Sequence, residues 1–559
     1  MKQTKQLKFI PLGGVEDVNR NCYVVEYGKD IVVVDLGISL PETSHHGVDC
    51  LIPDVDYLKR RRDRIAGILI THGHLDHLGA IPYVIEDLGF PPIYGRALPM
   101  KFLEEKLREY HLDKKVKLNI IEPGTDIKLK SITARFISVT HSIPHSCSIF
   151  IKTPGGNILH TGDFKFDERP VNEPKSDYEG FRRAAKEGVD LLSIDSTNIY
   201  CEGKAKTETE IHQLLDRVVQ KAKGRVIVAT FSSLGTRMYS LINIAQKYGR
   251  KVAVTGRSMK TMIRLLREIG YIKVQDNVFV SEKSLKKVPD DRLLVLATGT
   301  QGEEFAALSR MARDDHRFIK VKKSDTIIIS SRAIPGNLVP IQHLIDGLIK
   351  KGARVIHKSF MDVHTSGHGY QEDLKQMYKL TNPRFVMPVH GYQSFLYEHK
   401  YLLGCWGMKK KNIIVAQTGQ VFALDPISHN WSVVDKVNCK EVFVEGGMVN
   451  EVGSVLIAER ESLASYGVIL IVVNLDKNFS LVQQPILVTK GFVYVKHNKS
   501  VLQDLEQLVK KEFKRWRKSQ SHISSSDIPR LRSSVSRVVS NRVFRKMRKR
   551  PVVETMVVL

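Results

Sequence analysis

Residues 1–200 alternate short β-branched runs with polar turns. IVVVDLG, AGILITHGH, SITARFISVTHS, NILHTGDFKF and DLLSIDST each place charged or polar side chains just beyond an apolar stretch. Such runs predict strands, and strand ends are where a sheet presents functional groups. From about 205 to 350 the rhythm changes. RVIVATF precedes a helical pattern over 235–248, KVAVTG precedes another over 258–269, and LLVLATGT and TIIISS follow. Strands alternating with helices predict a parallel sheet with crossover helices, hence a separate α/β domain. From about 355 to 420 the first style returns in RVIHKSF, RFVMPVHGY and IIVAQTG. The last unit reads as VLIAERESLASYGVILIVVNLD, then GFVYVKH, then long charged helical sequence with one break at Pro529. Neither a 20–50-residue repeat nor a low-complexity tract is evident.

At 559 residues the chain exceeds one core, and ~100–200 residues per domain gives about three or four domains. Hydrophobic residues at 42% and charged residues at 26% describe a folded chain, not a disordered one. No apolar run reaches the ~18–20 residues of a membrane span. The start, MKQTKQLKFIPLGG, has no apolar stretch of signal-peptide length. Cysteines 22, 50, 147, 201, 405 and 439 form no Cys-x-x-Cys pair, which argues against a disulfide framework or thiolate zinc site and for a reducing cytoplasm.

Charge adds a partner. Lys and Arg number 86 against 60 Asp and Glu, a net of +26, which favours nucleic acid first and anionic lipid second. From 510 to 559 there are 15 basic and 3 acidic residues, a net of +12 in the last tenth of the chain. KKEFKRWRKSQSHISSSDIPRLRSS and RKMRKRP make a face that can neutralise phosphates without reading sequence, or simply a solvated surface.

The strongest chemical signal is THGHLDH at 71–77. His72, His74, Asp76 and His77 lie within six residues on a strand-to-helix turn, and Gly73 permits tight backbone geometry. Imidazole and carboxylate together suit zinc. The adjacent Asp76 and His77 do not easily point at one ion, which suggests two. Such a site needs partners, and later strand ends offer His141 after ISVT, Asp163 after NILHTG and His390 after RFVMPV.

The order H-x-H-x-D-H, then His, Asp and His, resembles that of the metallo-β-lactamase fold. The α/β stretch between Asp195 and His364 is similar to the inserted β-CASP domain of nucleic-acid-processing members. GGVEDVNRNCYVVE, VVVDLGI, IPDVDYL, HTGDFKFD, DSTN, GRSM, ATGTQGEEFAALSR, IPGN, HTSGHG, PVHG, GFVYVK and KRPVV resemble ribonuclease J across essentially the whole chain. H-x-H-x-D-H alone indicates only the fold, whereas TGTQGE with HTSGHG is specific to the ribonuclease J group.

That resemblance implies an α/β protein: an αββα metallo-β-lactamase sandwich at 1–204 and 353–425, a β-CASP domain at 205–352, a linker at 426–449 and a basic α+β domain at 450–559. It implies two Zn2+ per subunit, with His72, His74 and His141 on one, Asp76, His77 and His390 on the other, and Asp163 bridging. A water ionised between the metals would attack the phosphodiester. His368 would supply the proton to the leaving oxygen, making His368, Asp76 and Asp195 the catalytic set. Asp35 and Asp195 would orient histidine ligands. His364, Thr365, Ser366, Gly367 and His368 would hold the RNA backbone beside a 5′-monophosphate pocket, with Ser232 and Ser233 as further candidates.

The sequence departs from the family at Leu75, where a non-ligand Glu is common, and in two further places. Ser233-Leu234-Gly235-Thr236-Arg237 stands where S-N-x-H-R is common, without the Asn and His but with the Arg, and Tyr392-Gln393-Ser394 follows PVHG where Glu-Tyr-Arg is common. The last two bear on 5′-end recognition, not on the metal ligands. The function implied is zinc-dependent 5′-to-3′ exonuclease action on single-stranded RNA in rRNA maturation and mRNA decay, with endonuclease cleavage left open. The implied assembly is a cytoplasmic homodimer or homotetramer, with a paralogous subunit or RNA-degrading complex as a further partner and no membrane. The competing readings are an inactive RNA-binding partner of an active paralogue and a DNA-acting β-CASP nuclease, which the 2′-hydroxyl separates.

Overall fold

The structure, a computed structural model, describes residues 5–42, 45–334, 336–358, 361–450, 454–492, 499–519 and 524–559. The chain divides into two compact units, Met1–Ser39 with Leu51–Glu441, and Leu40–Cys50 with Val442–Leu559.

The first unit is built on two stacked sheets. One has eight strands in the order Trp431–Lys436, Gln420–Leu424, Leu7–Gly13, Cys22–Tyr27, Asp30–Val34, Ile65–Leu69, Ile93–Gly95 and Leu118–Ile120. The other has six, in the order Phe385–Val389, Leu191–Asp195, Gly156–His160, Cys147–Thr153, Ile132–Ser138 and Asp126–Leu129. Side chains alternate across a strand. Phe136, Ile149, Ile158 and Leu191 therefore face Phe9, Val25, Val32 and Leu69 of the other sheet in one core. Their neighbours Ile137, Phe150, Leu159 and Leu192 turn the opposite way and pack with Phe181, Leu374, Met377 and Leu403 of the covering helices. Strands Gly156–His160, Leu191–Asp195 and Phe385–Val389 run parallel, so their C-terminal ends share one edge of the sandwich.

Within this unit lies an all-parallel sheet of five strands: Lys251–Thr255, Leu293–Ala297, Val226–Thr230, Thr326–Ser330 and Arg354–Ile356. Its central strands are buried throughout, as a sheet covered on both faces requires. Helices Glu208–Lys221, Gly235–Lys247 and Arg257–Glu268 cover one face; Ala307–Ala312 and Leu338–Lys350 cover the other. The helical patterns over 235–248 and 258–269 are helices to within a residue at each end.

In the second unit, strand Val468–Asn474 pairs antiparallel with Ile486–Lys490 and parallel with Val552–Val558. Helices Lys499–Lys518 and Ile528–Met547 close one face of that sheet through Leu505, Val509, Phe513, Leu531, Val535 and Val539.

Three details differ from the sequence reading. The RVIH stretch does not start the returning sandwich: Arg354–Ile356 pairs with Thr326–Ser330 and completes the inserted sheet. Residues 426–449 are not a plain linker, because Trp431–Lys436 pairs with Gln420–Leu424 and Val442–Glu445 pairs with Met448–Asn450. After Trp431, strand Trp431–Lys436 is exposed throughout, and an edge strand of that kind leaves no apolar alternation to read. The helix break does not fall at Pro529. It lies between 518 and 528, and Pro529 sits in the first turn of the second helix, where its missing N–H costs nothing. Residues 493–497 of the expected GFVYVKH strand, Ser359 and Phe360 of RVIHKSF, and Pro335 of IPGN lie outside the described residues.

A buried charge network ties the inserted sheet to the sandwich. Arg237 is 1% exposed, its Nη2 lies 3.0 Å from Glu208 Oε2, and it donates to Ser330 Oγ and Val363 O. Lys165 Nζ lies 3.3 Å from Asp167 and 3.9 Å from Glu208, and Asp167 also accepts from the Glu208 N–H. Burial alone would push the Glu208 carboxyl up, but Arg237 and Lys165 outweigh it and hold it below the usual range. Removing one member of a buried pair strands the other charge and costs about 3–5 kcal/mol. Arg237→Ala is therefore expected to lower the midpoint of chemical denaturation. An Arg237→Met/Glu208→Leu double variant, which leaves no unpaired charge from this pair, should recover part of that loss.

Candidate metal centre

The segment 71–77 leaves strand Ile65–Leu69 and turns into the short helix Leu75–Leu78. Its backbone is clamped from the segment that follows strand Asp30–Val34. Leu36 N–H donates to His77 O at 2.6 Å and Ile38 N–H to Leu75 O at 3.0 Å, while Asn21 N–H donates to Asp76 O at 3.0 Å. The approach is so close that a Cβ on Gly37 would fall 1.5 Å from Asp76 O. Only glycine leaves the metal loop where it is.

Side chains from four strand ends meet there. His74 Nδ1 lies 3.0 Å from His72 Nε2 and 3.2 Å from His141 Nε2, and His72 Nε2 lies 3.4 Å from Asp163 Oδ2. On the other side, His77 Nε2 lies 3.3 Å from both His390 Nε2 and Asp163 Oδ2, and both imidazoles lie 3.5 Å from Asp76 Oδ2. Two groups, His72–His74–His141–Asp163 and Asp76–His77–Asp163–His390, each keep their donor atoms within 4.8 Å of one another. The adjacent Asp76 and His77, expected to diverge, fall in the same group because helix Leu75–Leu78 starts between the strand and His77. A tetrahedral ion with bonds of about 2.0–2.1 Å holds its ligand atoms about 3.3 Å apart. Asp163 Oδ1 is buried with no hydrogen-bond donor. The set thus fits divalent metal with nitrogen and oxygen ligands, and without a cation these lone pairs would simply oppose one another.

The far nitrogens are held too. His77 Nδ1–H donates to Asp35 Oδ2 at 2.7 Å, and Asp35 accepts further from the Thr71 N–H and hydroxyl, each at 2.8 Å. Asp35 takes a positive φ of 58°, a strained conformation away from glycine. His141 Nδ1–H donates to Gly367 O at 2.8 Å. His390 Nδ1–H donates to Thr197 Oγ1 at 2.6 Å, and that hydroxyl donates to Asp195 Oδ1 at 2.8 Å. Such partners fix the tautomer that turns each Nε2 inward. Burial pushes His72 and His141 well below the usual imidazole range, so they are neutral donors. Burial would push the Asp163 carboxyl up, but His390, His77 and His368 outweigh it and hold it well below the usual range.

His368 sits at the partly open rim, its side chain 19% exposed, with Nδ1 2.8 Å from Asp195 Oδ2 and Nε2 3.8 Å from Asp163 Oδ2. Burial opposes its charge, but Asp195 and Asp163 prevail and the imidazole is pushed up to about 9. Gly367 passes so near His141 that a Cβ would meet its ring at 2.7 Å. Thr365 Oγ1 donates to Lys206 O, and Ser366 Oγ accepts from Asn198 Nδ2 at 2.7 Å and from His368 N–H at 3.1 Å. His364 is 9% exposed with Nδ1 unpartnered; burial first, then Arg237, pushes it down to about 3.

Ser232 and Ser233 are half-buried in the turn after strand Val226–Thr230, and no hydrogen bond joins their hydroxyls to the histidine cluster among the described residues. Leu234 and Thr236 are 4% and 3% exposed and turn into the core, so those departures present no side chain to a ligand. Tyr392 is half exposed and packs edge-on against Phe395, which Tyr200 meets in the same way. Sequence reasoning did not single out Thr197, Asn198, Asn21 or Arg332. Asn198 Nδ2 also donates to His368 O at 3.0 Å, and Arg332 Nη1 donates to Asn198 Oδ1 at 3.4 Å. The only advance signal for the first two was the polar pair following Asp195 in DSTN.

Family models match in chain order: the metallo-beta-lactamase superfamily over 15–192, the ribonuclease J beta-CASP domain over 223–348, the Zn-dependent metallo-hydrolase RNA specificity domain over 353–415 and the ribonuclease J C-terminal domain over 455–559. Ribonuclease J of Synechocystis is 37% identical over 494 residues, 88% of this chain and 76% of that protein. Ribonuclease J of Helicobacter pylori strain B128 is 35% identical over 98% of this chain and 78% of its own. Ribonuclease J2 of Bacillus subtilis is 34% identical over 91% of each. A crystal structure of a protein of unknown function from Enterococcus faecalis matches with TM-score 0.53 at 16% identity, over 75% of this chain and all of that one, a likeness of fold alone.

Removing a carboxylate that orients a ligating histidine typically weakens metal affinity about 10–100-fold. Asp35→Asn is expected to release metal to a chelator at correspondingly lower concentration, with the circular dichroism spectrum unchanged. Equal retention by variant and parent would remove Asp35 from the site.

Proposed function

The chain belongs to the ribonuclease J family of metal-dependent ribonucleases, and on that premise we propose that it holds two Zn2+ and removes nucleotides from RNA bearing a 5′ monophosphate. The observation that carries this is the convergence of His72, His74, His141, Asp163, Asp76, His77 and His390 beneath one partly open rim occupied by His368. Bound ions would supply Lewis acidity and an activated water for hydrolysis of the phosphodiester.

The remaining work falls to the chain's own groups. Asp195 accepts from His368 Nδ1–H, which fixes the ring and turns Nε2 towards the reacting phosphate. A proton held at Nε2 goes to the departing 3′ oxygen, and no covalent intermediate is needed. Ser366 accepts two hydrogen bonds, from Asn198 and from His368 N–H, which leaves its own hydroxyl proton for a phosphate oxygen. Asn198 positions both Ser366 and His368, so the phosphate-holding and proton-donating groups move as one body. In this reading the 5′-end preference rests on the rim of Ser366, Gly367, His368, Ser232 and Ser233. The inward Leu234 and Thr236 shape the turn that carries the two serines. Homo-oligomers, a paralogous partner and roles in rRNA maturation and mRNA decay belong to the same proposal. No helix among the described residues is long and apolar enough to cross a membrane.

The test uses one RNA labelled internally and at its 3′ end, as 5′-monophosphate and 5′-triphosphate forms, with a DNA of the same sequence. Mononucleotides released chiefly from the 5′-monophosphate RNA, and abolished in Asp76→Ala, are expected. Internal cuts indifferent to the 5′ end would replace the exonuclease reading with an endonuclease. No cleavage with zinc bound would leave only a binding role.

His368→Ala is expected to lower kcat by about 10²–10⁴, the usual worth of a positioned acid or base, with zinc content unchanged. An unaltered kcat would assign the leaving-group proton elsewhere.

A further inference from the structure

Helices Lys499–Lys518 and Ile528–Met547 lie antiparallel on their sheet. Two interactions set the register: Ser534 Oγ donates to Glu512, and Arg542 reaches Asp504 at 2.8 Å. Each helix spends its apolar stripe inward, through Leu505, Val509, Phe513 and Trp516 on the first and Leu531, Val535, Val539 and Val543 on the second. At 100° per residue the opposite stripe of the first helix is Gln503, Gln507, Lys511, Lys514 and Lys518. On the second it is Arg530, Ser533, Arg537 and Asn541, all exposed. That register puts Lys514 and Lys518 at the level of Arg530 along the helix pair, and Lys511 at the level of Arg537.

The composition of this platform is one-sided. Helix Ile528–Met547 contains no Asp or Glu. The acidic side chains of the first helix that meet the second, Asp504 and Glu512, are engaged at the seam with Arg542, Lys546 and Ser534. Lys511, Lys514, Lys518, Arg530 and Arg537 have no carboxylate within 4.0 Å among the described residues, whereas Arg542 and Lys546 do. No large hydrophobic side chain between 489 and 555 is exposed among the described residues. That excludes an interfacial membrane helix, which needs an apolar face for the bilayer, and an obligate protein interface, which needs an apolar centre. Cations interleaved with amide and hydroxyl groups are the chemistry of sugar-phosphate recognition.

We propose that this two-helix platform is a sequence-independent binding surface for the RNA backbone, a second hold on the substrate apart from the metal centre. The proposal rests on RNA being the substrate.

The experiment uses the full chain carrying Asp76→Ala, so that RNA survives. Lys514→Gln, Lys518→Gln, Arg530→Gln and Arg537→Gln are added together, and binding of two unrelated 30-nucleotide single strands is measured from 0.05 to 0.5 M salt. Each phosphate that is no longer neutralised should reduce the slope of log K against log salt by about 0.7, so the slope should fall by about 2–3, with affinity at 0.1 M down on the order of 100-fold for both sequences. Arg530→Lys with Arg537→Lys, which keeps the charge, should retain the slope. An unchanged slope, a weakening confined to one sequence, transfer of the effect to phosphatidylserine vesicles, or a change of oligomeric mass in the quadruple variant would each overturn the proposal. Cleavage by the unsubstituted chain in the same buffers tests the ribonuclease reading separately.

Discussion

Everything in the sandwich serves one electrostatic demand: five imidazoles and two carboxylates must be held with their lone pairs facing one another inside protein. Buried polar groups without partners cost several kcal/mol each. A divalent cation satisfies the imidazole and carboxylate lone pairs together. The free energy of metal binding and the free energy of ordering these loops are therefore coupled. This explains why the surroundings are so over-determined. Three of these rings have such an outer partner opposite the inward nitrogen: Asp35 for His77, Gly367 O for His141, Thr197 and through it Asp195 for His390.

The backbone bears the corresponding strain. Asp35 and His390 both take positive φ, at 58° and 55°, where a side chain is disfavoured. Gly37 and Gly367 mark places where two chain segments approach closer than any Cβ allows. Such features persist only where neighbouring interactions outweigh their cost. Here those interactions are the parallel strand ends, which deliver Asp163, Asp195 and His390 to one edge, and the hydrogen bonds from Asn21, Leu36 and Ile38 that pin segment 71–77. Asp195 is the joint between metal centre and rim, since one carboxylate serves His390 through Thr197 and His368 directly.

What was legible in the sequence is what local chemistry determines. THGHLDH announces itself because ligand-type residues crowd one turn, and the alternation of strand and helix over 205–350 marks the inserted sheet before any partner strand is known. Pairing is different. Arg354–Ile356 has the same short apolar look as the sandwich strands, and only its neighbour Thr326–Ser330 decides where it belongs. Trp431–Lys436 carries no periodicity because an exposed edge strand needs none. Thr197 and Asn198 escaped notice for another reason: a threonine and an asparagine after a strand are ordinary turn residues, and their importance arises from segments some 170–190 positions away. Arg237 was legible as a surviving family residue, yet its place is a buried ion pair with Glu208 rather than a surface facing substrate.

The same limit governs charge. Composition gives the amount, +12 over the last fifty residues, but a helix distributes side chains through a full turn, so an amount is not a surface. Two features convert one into the other. The apolar residues of Ile528–Met547 recur at three or four and fix which side is inward. The seam interactions at Asp504 and Glu512 then draw those carboxylates to the boundary between the helices. The charges on the outward stripes, at Lys511, Lys514, Lys518, Arg530 and Arg537, are then all cationic. A charged exterior that merely kept the chain in solution would intersperse both signs, since a single-sign field disfavours the compact state through its own repulsion. A platform that accepts that repulsion, with its hydrophobic side already consumed by the core, has polyanion binding as its physical rationale.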